Sequence, residues 1–213
     1  MSDLSRFQHP RFARMYERIS EESDRRGTAE HRARALTGLK GRVIEVGAGN
    51  GRNFAHYPAA VTEVVAVEPE DRLRALAERA ARYTPVPVRV GAGHADDLPV
   101  EDASFDAAVA SLVLCSVPSL ERALAELRRV LRPGGELRFF EHVRSANPLV
   151  GAFQDLITPL WSVGAAGCHL NRDTAAAIRG AGFAIEELDR FAYAPLAMAP
   201  KQAHILGRAR APR

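Results

Sequence analysis

A mostly parallel α/β fold is the prediction of this sequence, and three observations carry it. The stretch R-V-I-E-V-G-A-G-N-G at 42–51 runs from a short β-branched segment straight into glycines at 47, 49 and 51. Such segments suit buried parallel strands, and glycine, lacking a Cβ, lets the turn take positive φ and a ligand lie against the backbone. Further apolar runs at 61–67, 86–90, 105–110 and 136–141 alternate with helical patterns, as successive β-α-β units require. The last two runs, 183–191 and 203–209, are joined by a proline-containing loop without helical periodicity, so an antiparallel pair completes the sheet.

The 213 residues suit one domain with an N-terminal extension, and an apolar fraction of 46% supplies a full core. The formal charge of +3 rests on arginine, Lys40 and Lys201 being the only lysines. The arginines are scattered among Glu and Asp, as at 18–26, without a ladder of aromatic and basic residues. No nucleic-acid partner is expected. Cys115 and Cys168 lack C-x-x-C spacing and make neither a disulfide framework nor a zinc site, so no metal is expected. The N-terminus has no signal-peptide core, and no apolar run approaches the roughly 18 residues of a spanning helix, so a soluble cytoplasmic protein is expected.

In chain order, residues 4–38 read as two helices. Phe7, Phe12, Met15, Tyr16 and Ile19 recur at three- and four-residue spacings, Ser20 or Ser23 can cap the second helix, and Gly38 ends it. The extension 1–38 is either a lid over a ligand, with Tyr16 facing it, or a packing layer. Phe54 and Tyr57 fit the first turns of a helix after the glycine turn. Strand 61–67 ends in Glu68, where a carboxylate accepts from both hydroxyls of a ribose diol or, alternatively, steadies the start of the next helix, 71–83. Strand 86–90 leads into the polar loop G-A-G-H-A-D-D-L-P. The loop 112–117 follows strand 105–110 and faces the site, because ligands sit outside the carboxyl ends of parallel strands. An amphipathic helix at 119–131 and the breaker R-P-G-G precede strand 136–141, where Glu141 and His142 stand. Residues 148–170 are apolar but interrupted by Pro159, Gly164 and Gly167, so the insertion 145–172 reads as an irregular substrate cover. A helix resumes at 174–179.

The pattern E-x-G-x-G-x-G has Arg52 where a dinucleotide fingerprint places its third glycine, which disfavours an NAD-dependent oxidoreductase. It resembles motif I of class I S-adenosylmethionine (SAM)-dependent methyltransferases. G-H-A-D-D-L-P, S-F-D-A-A-V-A and L-R-P-G-G-E-L resemble, in order, that superfamily's post-strand-3 loop, strand-four motif and approach to strand five. L-V-L-C-S-V at 112–117, E-H-V-R-S at 141–145, Trp161, G-C-H-L-N-R-D-T at 167–174 and H-I-L-G at 204–207 occur together. This set resembles the methyltransferase-like family that includes the animal alkyl thiol S-methyltransferases. The resemblance implies a Rossmann-like, seven-stranded class I methyltransferase sheet over 39–213, with the antiparallel terminal hairpin, behind the helical extension. The animal members carry an N-terminal membrane anchor; none is read in this sequence, so a soluble relative is expected here.

The resemblance also implies SAM as cofactor and S-adenosylhomocysteine as product. Glu45 is then expected to steady the glycine loop or the methionine amino group. Gly47, Gly49, Gly51 and Asn53 border methionine and ribose, Glu68 holds the ribose, and Pro69 helps form the adenine pocket. His94, Ala95 and Asp96 border adenine; the family usually places an acid where His94 stands, so His94 or Asp96 makes that contact. Leu112 runs beneath the sulfonium. The implied acceptor is small and hydrophobic, a thiol first. Oxygen, nitrogen or lipid-head-group acceptors, or a non-catalytic SAM-binding subunit, are the alternatives. A thiol reacts as its thiolate, and His142, oriented by Glu141, is the candidate base, although either residue reads equally as a loop anchor. Tyr16, Cys115, Trp161, His169, Asn171 and Arg172 are candidate substrate contacts, with Cys115 reading also as a small buried residue and Asn171 as a helix cap. Phe153, Leu156, Leu160 and Trp161 suit a hydrophobic acceptor or, through 148–167, a peripheral lipid contact.

Overall fold

The computed structural model describes residues 3–197 and 199–212. Seven strands, β1 (Gly41–Val46), β2 (Val61–Val67), β3 (Val88–Gly91), β4 (Phe105–Ser111), β5 (Leu131–His142), β6 (Ala184–Tyr193) and β7 (Gln202–Arg210), form one sheet in the order β3-β2-β1-β4-β5-β7-β6. Neighbours are parallel from β3 to β5, and β7 runs antiparallel between β5 and β6. The carboxyl ends of β1, β2, β4 and β5 therefore share one edge, where the predicted site residues gather.

Side chains alternate across the sheet, as the period of two demands. Ile44 and Val46 of β1 join a cluster with Ala108, Ala110, Leu124, Leu127 and Ile178, the last three from α4 (Leu120–Val130) and α6 (Thr174–Gly180). Val43 faces the other way, among Val64, Ala66, Ala77 and Leu36, where α3 (Asp71–Ala80) and α2 (Ala29–Leu36) lie. The second helix of the extension is thus a layer of the core: Leu36 is fully buried, and Arg138 of β5 donates to Thr37 O at 3.0 Å.

Four local expectations are corrected. The helix foreseen after the glycine turn is a single 3-10 turn, Phe54–His56. Tyr57 precedes Pro58, and the residue before a proline is driven out of the α region; it is extended, at φ −67° and ψ 128°. Neither Ser20 nor Ser23 caps α2. Ser20 receives a hydrogen bond from Asn50 instead, Ser23 pairs with Thr28 at 2.5 Å, and α1 (Pro10–Ser23) reaches α2 through a five-residue π-turn containing Gly27 at φ +113°. Asp173, not Asn171, caps α6, accepting from Ala176 N at 3.0 Å.

The fourth correction concerns the insertion, which is a regular 17-residue helix, α5 (Pro148–Gly164), running through Pro159. Asn147 caps it with bonds from Leu149 N and Val150 N, Pro148 occupies its first turn, and Thr158 bonds back to Gln154 O at 2.6 Å beside the gap in the ladder left by proline. Its inward face is Gly151, Gln154 and Thr158, docked through Gln154 on Ser145 N at 2.7 Å. Its apolar side chains face out: Leu149, Leu156, Leu160 and Val163 are 77–83% exposed. Phe153, Leu156 and Leu160 therefore do not line the acceptor space as foreseen. Among the described residues no helix is long and apolar enough to cross a membrane.

Candidate active site

The turn after β1 takes its shape from three glycines at positive φ, each crowded by a neighbour: a Cβ at Gly51 (φ +79°) would lie 2.8 Å from the Phe54 ring. A Cβ at Gly47 (φ +62°) would lie 2.2 Å from the Val113 side chain, and one at Gly49 (φ +57°) would press on the Tyr16 ring at 3.3 Å. Beneath the turn, Glu45 is buried with both oxygens engaged, by Asn53 Nδ2 at 2.9 Å and by the Tyr57 hydroxyl at 2.7 Å. Burial pushes Glu45 up to about 7, against the pull of Tyr57, Arg32 and Asn53. Asn53 in turn accepts from Arg32 Nη1 at 3.0 Å, so its amide is directed into the brace rather than toward a ligand. Arg32, 5% exposed, also reaches Asp24 and the Ser111 hydroxyl at the end of β4. One guanidinium thus ties the extension to the ends of two strands.

At the end of β2, Glu68 is 5% exposed, and it accepts from Gly49 N at 2.7 Å through one oxygen and from Glu70 N at 3.0 Å through the other. Both roles foreseen for this carboxylate are compatible with that placement: it sits against the glycine turn and steadies the start of α3, which Glu70 itself caps. Burial raises Glu68 to about 7, opposed by the two amides. The extension closes over this corner. Gln8 donates to Pro69 O at 2.9 Å and accepts from Asp71 N at 3.1 Å, while Phe7 stacks on His94 with centroids 4.8 Å apart. On the loop after β3, Ala95 is buried in the core cluster. On either side of it His94 Nδ1 and Asp96 Oδ1 are buried without a hydrogen-bond partner among the described residues. Buried polar atoms are paired in folded proteins, so this pair asks for a ligand edge carrying donors and acceptors. The Cβ-free cradle, the carboxylate at the strand end and this orphaned pair fit the methionine, ribose and adenine parts of SAM.

The acceptor side is built on the loop after β4. Leu112 sits at φ +59°, its N–H donating to Phe140 O at 2.7 Å. Val113, Leu114 and Cys115 then point their amides at Glu141, at 3.0–3.2 Å. Glu141 is fully buried, and burial lifts it to about 7 against those three amides. Its oxygens are occupied by the loop, which corrects its reading as a group that orients the base or meets substrate. Arg172 holds the same loop from the other side, donating to Leu114 O and, at 2.7 Å, to Val117 O, so it braces the wall rather than presenting a free guanidinium.

His142, the next residue along β5, is different. It is 5% exposed, it lies edge-on to His204 at 5.4 Å, and neither of its ring nitrogens has a hydrogen-bond partner among the described residues. Cys168, near enough to His142 and Trp161 to be influenced by both, stands 3.8 Å from Cys115, sulfur to sulfur. His169 is occupied locally, its Nδ1 2.7 Å from Gly167 O, and Asn171 donates to Asp155 at 3.1 Å, tying the end of the insertion back to the surface of α5. Asn171 is therefore not gathered with the others. Phe7, Gln8, Arg32 and Tyr57 belong to the site's framework and were not foreseen. Only their polar or aromatic character hinted at them, because each acts across a long stretch of chain.

A family model described as a methyltransferase domain matches residues 44–139. Human thiol S-methyltransferase TMT1B is 36% identical over 187 residues, covering 83% of this chain and 74% of the relative. Human thiol S-methyltransferase TMT1A is 35% identical and covers 78% and 68%. This chain belongs to the thiol S-methyltransferase family. It is an enzyme of the SAM-dependent class I methyltransferases, and SAM is its cofactor. A solved structure of a SAM-dependent methyltransferase, possible histamine N-methyltransferase, from Thermotoga maritima superposes with a TM-score of 0.70 at 25% identity, over 94% of this chain and 96% of that one. The family's sheet, with its antiparallel final pair, is the one observed.

Proposed function

We propose that this enzyme transfers the methyl group of SAM to the sulfur of a small thiol placed against His142. The observation that supports this reading is the buried imidazole at the carboxyl end of β5, whose two nitrogens meet no hydrogen-bond partner of good geometry among the described residues and which has the Cys168 thiol beside it. Such a group is costly unless a ligand completes it, and a thiol that must lose its proton is a fitting partner. SAM, when bound, supplies a methyl group already activated by a positively charged sulfur. The chain's own residues then have to hold and align. Glu68 takes the ribose hydroxyls, and His94, Ala95 and Asp96 take the edge of adenine. Glu141 and Arg172 fix the 112–117 loop from two sides. His142 receives the acceptor's proton. Alignment of this kind is worth roughly 7–11 kcal/mol. In the same reading residues 5–23 are the lid, with Phe7, Gln8 and Tyr16 closing it, while α2, the rest of the extension, packs as a layer on the domain that runs from 39 to 213.

The test is a methyl-transfer assay with purified protein, SAM and matched thiols, phenols and amines, in the presence of dithiothreitol, whose own methylation is measured as a competing reaction. Thiols are expected to exceed the matched phenol and amine by at least about tenfold in kcat/KM. A phenol or amine that is preferred overturns the thiol assignment.

A second contact is supported by α5, which turns polar residues inward and a broad apolar face outward, with Trp161 at its margin and Asp155 neutralised by Arg144 at 2.8 Å. Such a surface suits the interface of a lipid bilayer. Co-sedimentation with phosphatidylcholine vesicles is expected for the wild type, with at least a fivefold loss for Leu156→Glu/Leu160→Glu. Equal binding by the two proteins removes this contact. A cytoplasmic setting suits the chain, because a reducing compartment keeps two neighbouring thiols unbridged.

A further inference from the structure

Methyl transfer from a sulfonium to an external thiol uses no cysteine of the enzyme, yet the fold brings both of its cysteines together. They lie 53 residues apart in sequence and 3.8 Å apart between sulfurs. The approach is built into the backbone: His169 N donates to Cys115 O at 2.8 Å. Gly167, at φ +85°, lies so close that a Cβ would be 2.9 Å from Ser116 O. A disulfide needs sulfurs at about 2.05 Å, so the two sulfurs must close in from 3.8 Å for the bond to form.

The two thiols are not equivalent. Cys115 is 3% exposed, whereas Cys168 is only partly covered. The hydrogen bond between them, with His142 and Trp161 nearby, holds the Cys168 thiol below its ordinary range, while that same bond and burial push Cys115 well above it. A more accessible thiol with a lowered pKa, backed by a buried second thiol within reach, is the arrangement thiol–disulfide exchange uses, one sulfur attacking and the other resolving.

We propose that Cys115 and Cys168 form a second reactive site, a dithiol that takes a small disulfide and releases the two thiols from which it was made. The inference rests on the thiol reading of the acceptor, whose oxidised form is a disulfide with no sulfur able to accept a methyl group. The Cys168 thiolate attacks one sulfur of R–S–S–R; that bond breaks, one RS⁻ leaves, and a mixed disulfide forms on Cys168. Cys115 then gives up its proton and attacks the Cys168 sulfur. The second RS⁻ leaves, and a Cys115–Cys168 disulfide remains. The enzyme is oxidised by two electrons, the substrate disulfide is reduced by two, and the two thiol protons end on the two released thiols. A cellular monothiol such as glutathione, two molecules per cycle, restores the dithiol. The released thiols appear beside His142.

The experiment uses the reduced full chain without SAM, exposed to excess cystamine and read by intact mass and by peptide mapping after alkylation. Wild type is expected to lose two hydrogens, release two equivalents of cysteamine and yield a crosslinked 115–168 peptide pair. Cys115→Ser is expected to stop at one cysteamine adduct on Cys168, and Cys168→Ser to react at least tenfold more slowly. A wild-type protein that keeps stable adducts without the internal crosslink overturns the proposal, and so does a Cys168→Ser variant that reacts at the wild-type rate. The peptide map of the wild type decides the matter even where a variant fails to fold. Methyl transfer to thiols is measured separately under dithiothreitol, so failure of the exchange leaves that reading intact, and failure of that reading shows in the methyl-transfer assay rather than in the exchange.

Discussion

Glu68→Ala is expected to weaken binding of S-adenosylhomocysteine tenfold or more in calorimetric titration, a loss of at least about 1.4 kcal/mol. In the proposed function the carboxylate contributes in two ways: it accepts from the ribose diol, and it pins Gly49 N at 2.7 Å, and thereby the glycine turn. Alanine removes both and leaves the amides of Gly49 and Glu70 unpaired in a buried corner. Glu68→Gln separates the two contributions, because one carbonyl oxygen keeps a backbone amide while the charge and the second acceptor are lost. It is expected to retain the thermal midpoint more closely than alanine yet still bind weakly. Wild-type affinity in a folded Glu68→Ala protein would falsify the assignment. The group's own titration offers a further readout. Burial raises Glu68 to about 7, and the ionised form is the better acceptor of hydroxyl hydrogens. Affinity for the product should therefore rise between pH 6 and pH 8. The effect on the ligand-free fold has the opposite sign. A folded-state value above the unfolded one means that the stability this group contributes is complete below about 4.5 and is lost as pH rises through about 7.

Where one residue type and one spacing were sufficient, the sequence was readable. Val61–Val67 is a strand to the residue, because β-branched side chains fill both faces of a buried parallel strand and Pro69 follows at once. The terminal pair was legible because nothing between 191 and 203 has helical periodicity. Glu68 was legible because its place at a strand end follows from the strand. Other features depended on contacts that leave no local pattern. Gln8 finds the backbone of Pro69 and Asp71 some 60 positions away (a separation of 61 to Pro69), and Arg32 joins Asp24, Asn53 and Ser111. Neither partnership alters the periodicity of α1 or α2. The insertion was misread for a different reason. Pro159 signals a break, but one lost donor was offset locally by the Asn147 cap and by packing of the Gly151–Gln154–Thr158 face. The outward turn of its leucines was equally hidden, since an apolar stripe looks the same in sequence whichever way it faces. The Cys115–Cys168 approach required the fold, because residues 53 apart meet only when α5 and the turn at Gly167 return the chain to the β4 loop.

His142→Ala is expected to lower kcat for an alkyl thiol by about a hundredfold, the lower end of what a positioned general base supplies, or about 2.7 kcal/mol of barrier. Affinity for S-adenosylhomocysteine should change less than twofold, because the residues proposed to hold the cofactor lie on the loops after β1, β2, β3 and β4 while His142 ends β5. A general base and a mere wall residue differ in how the loss depends on the acceptor. An acidic aromatic thiol is already ionised at neutral pH and has no proton to surrender. The defect of His142→Ala should therefore shrink to less than about fivefold with that acceptor while remaining large with an alkyl thiol. His142→Gln, which fills similar space and can hydrogen-bond but cannot carry a proton away, should behave like alanine in this comparison. A uniform loss across both acceptors points instead to a collapsed cavity. The contact with His204 at 5.4 Å makes that outcome physically reasonable, since removing one of two packed buried rings lets the other shift. The ratio between the two acceptors, rather than the size of either loss, therefore decides whether the unpartnered imidazole is the base.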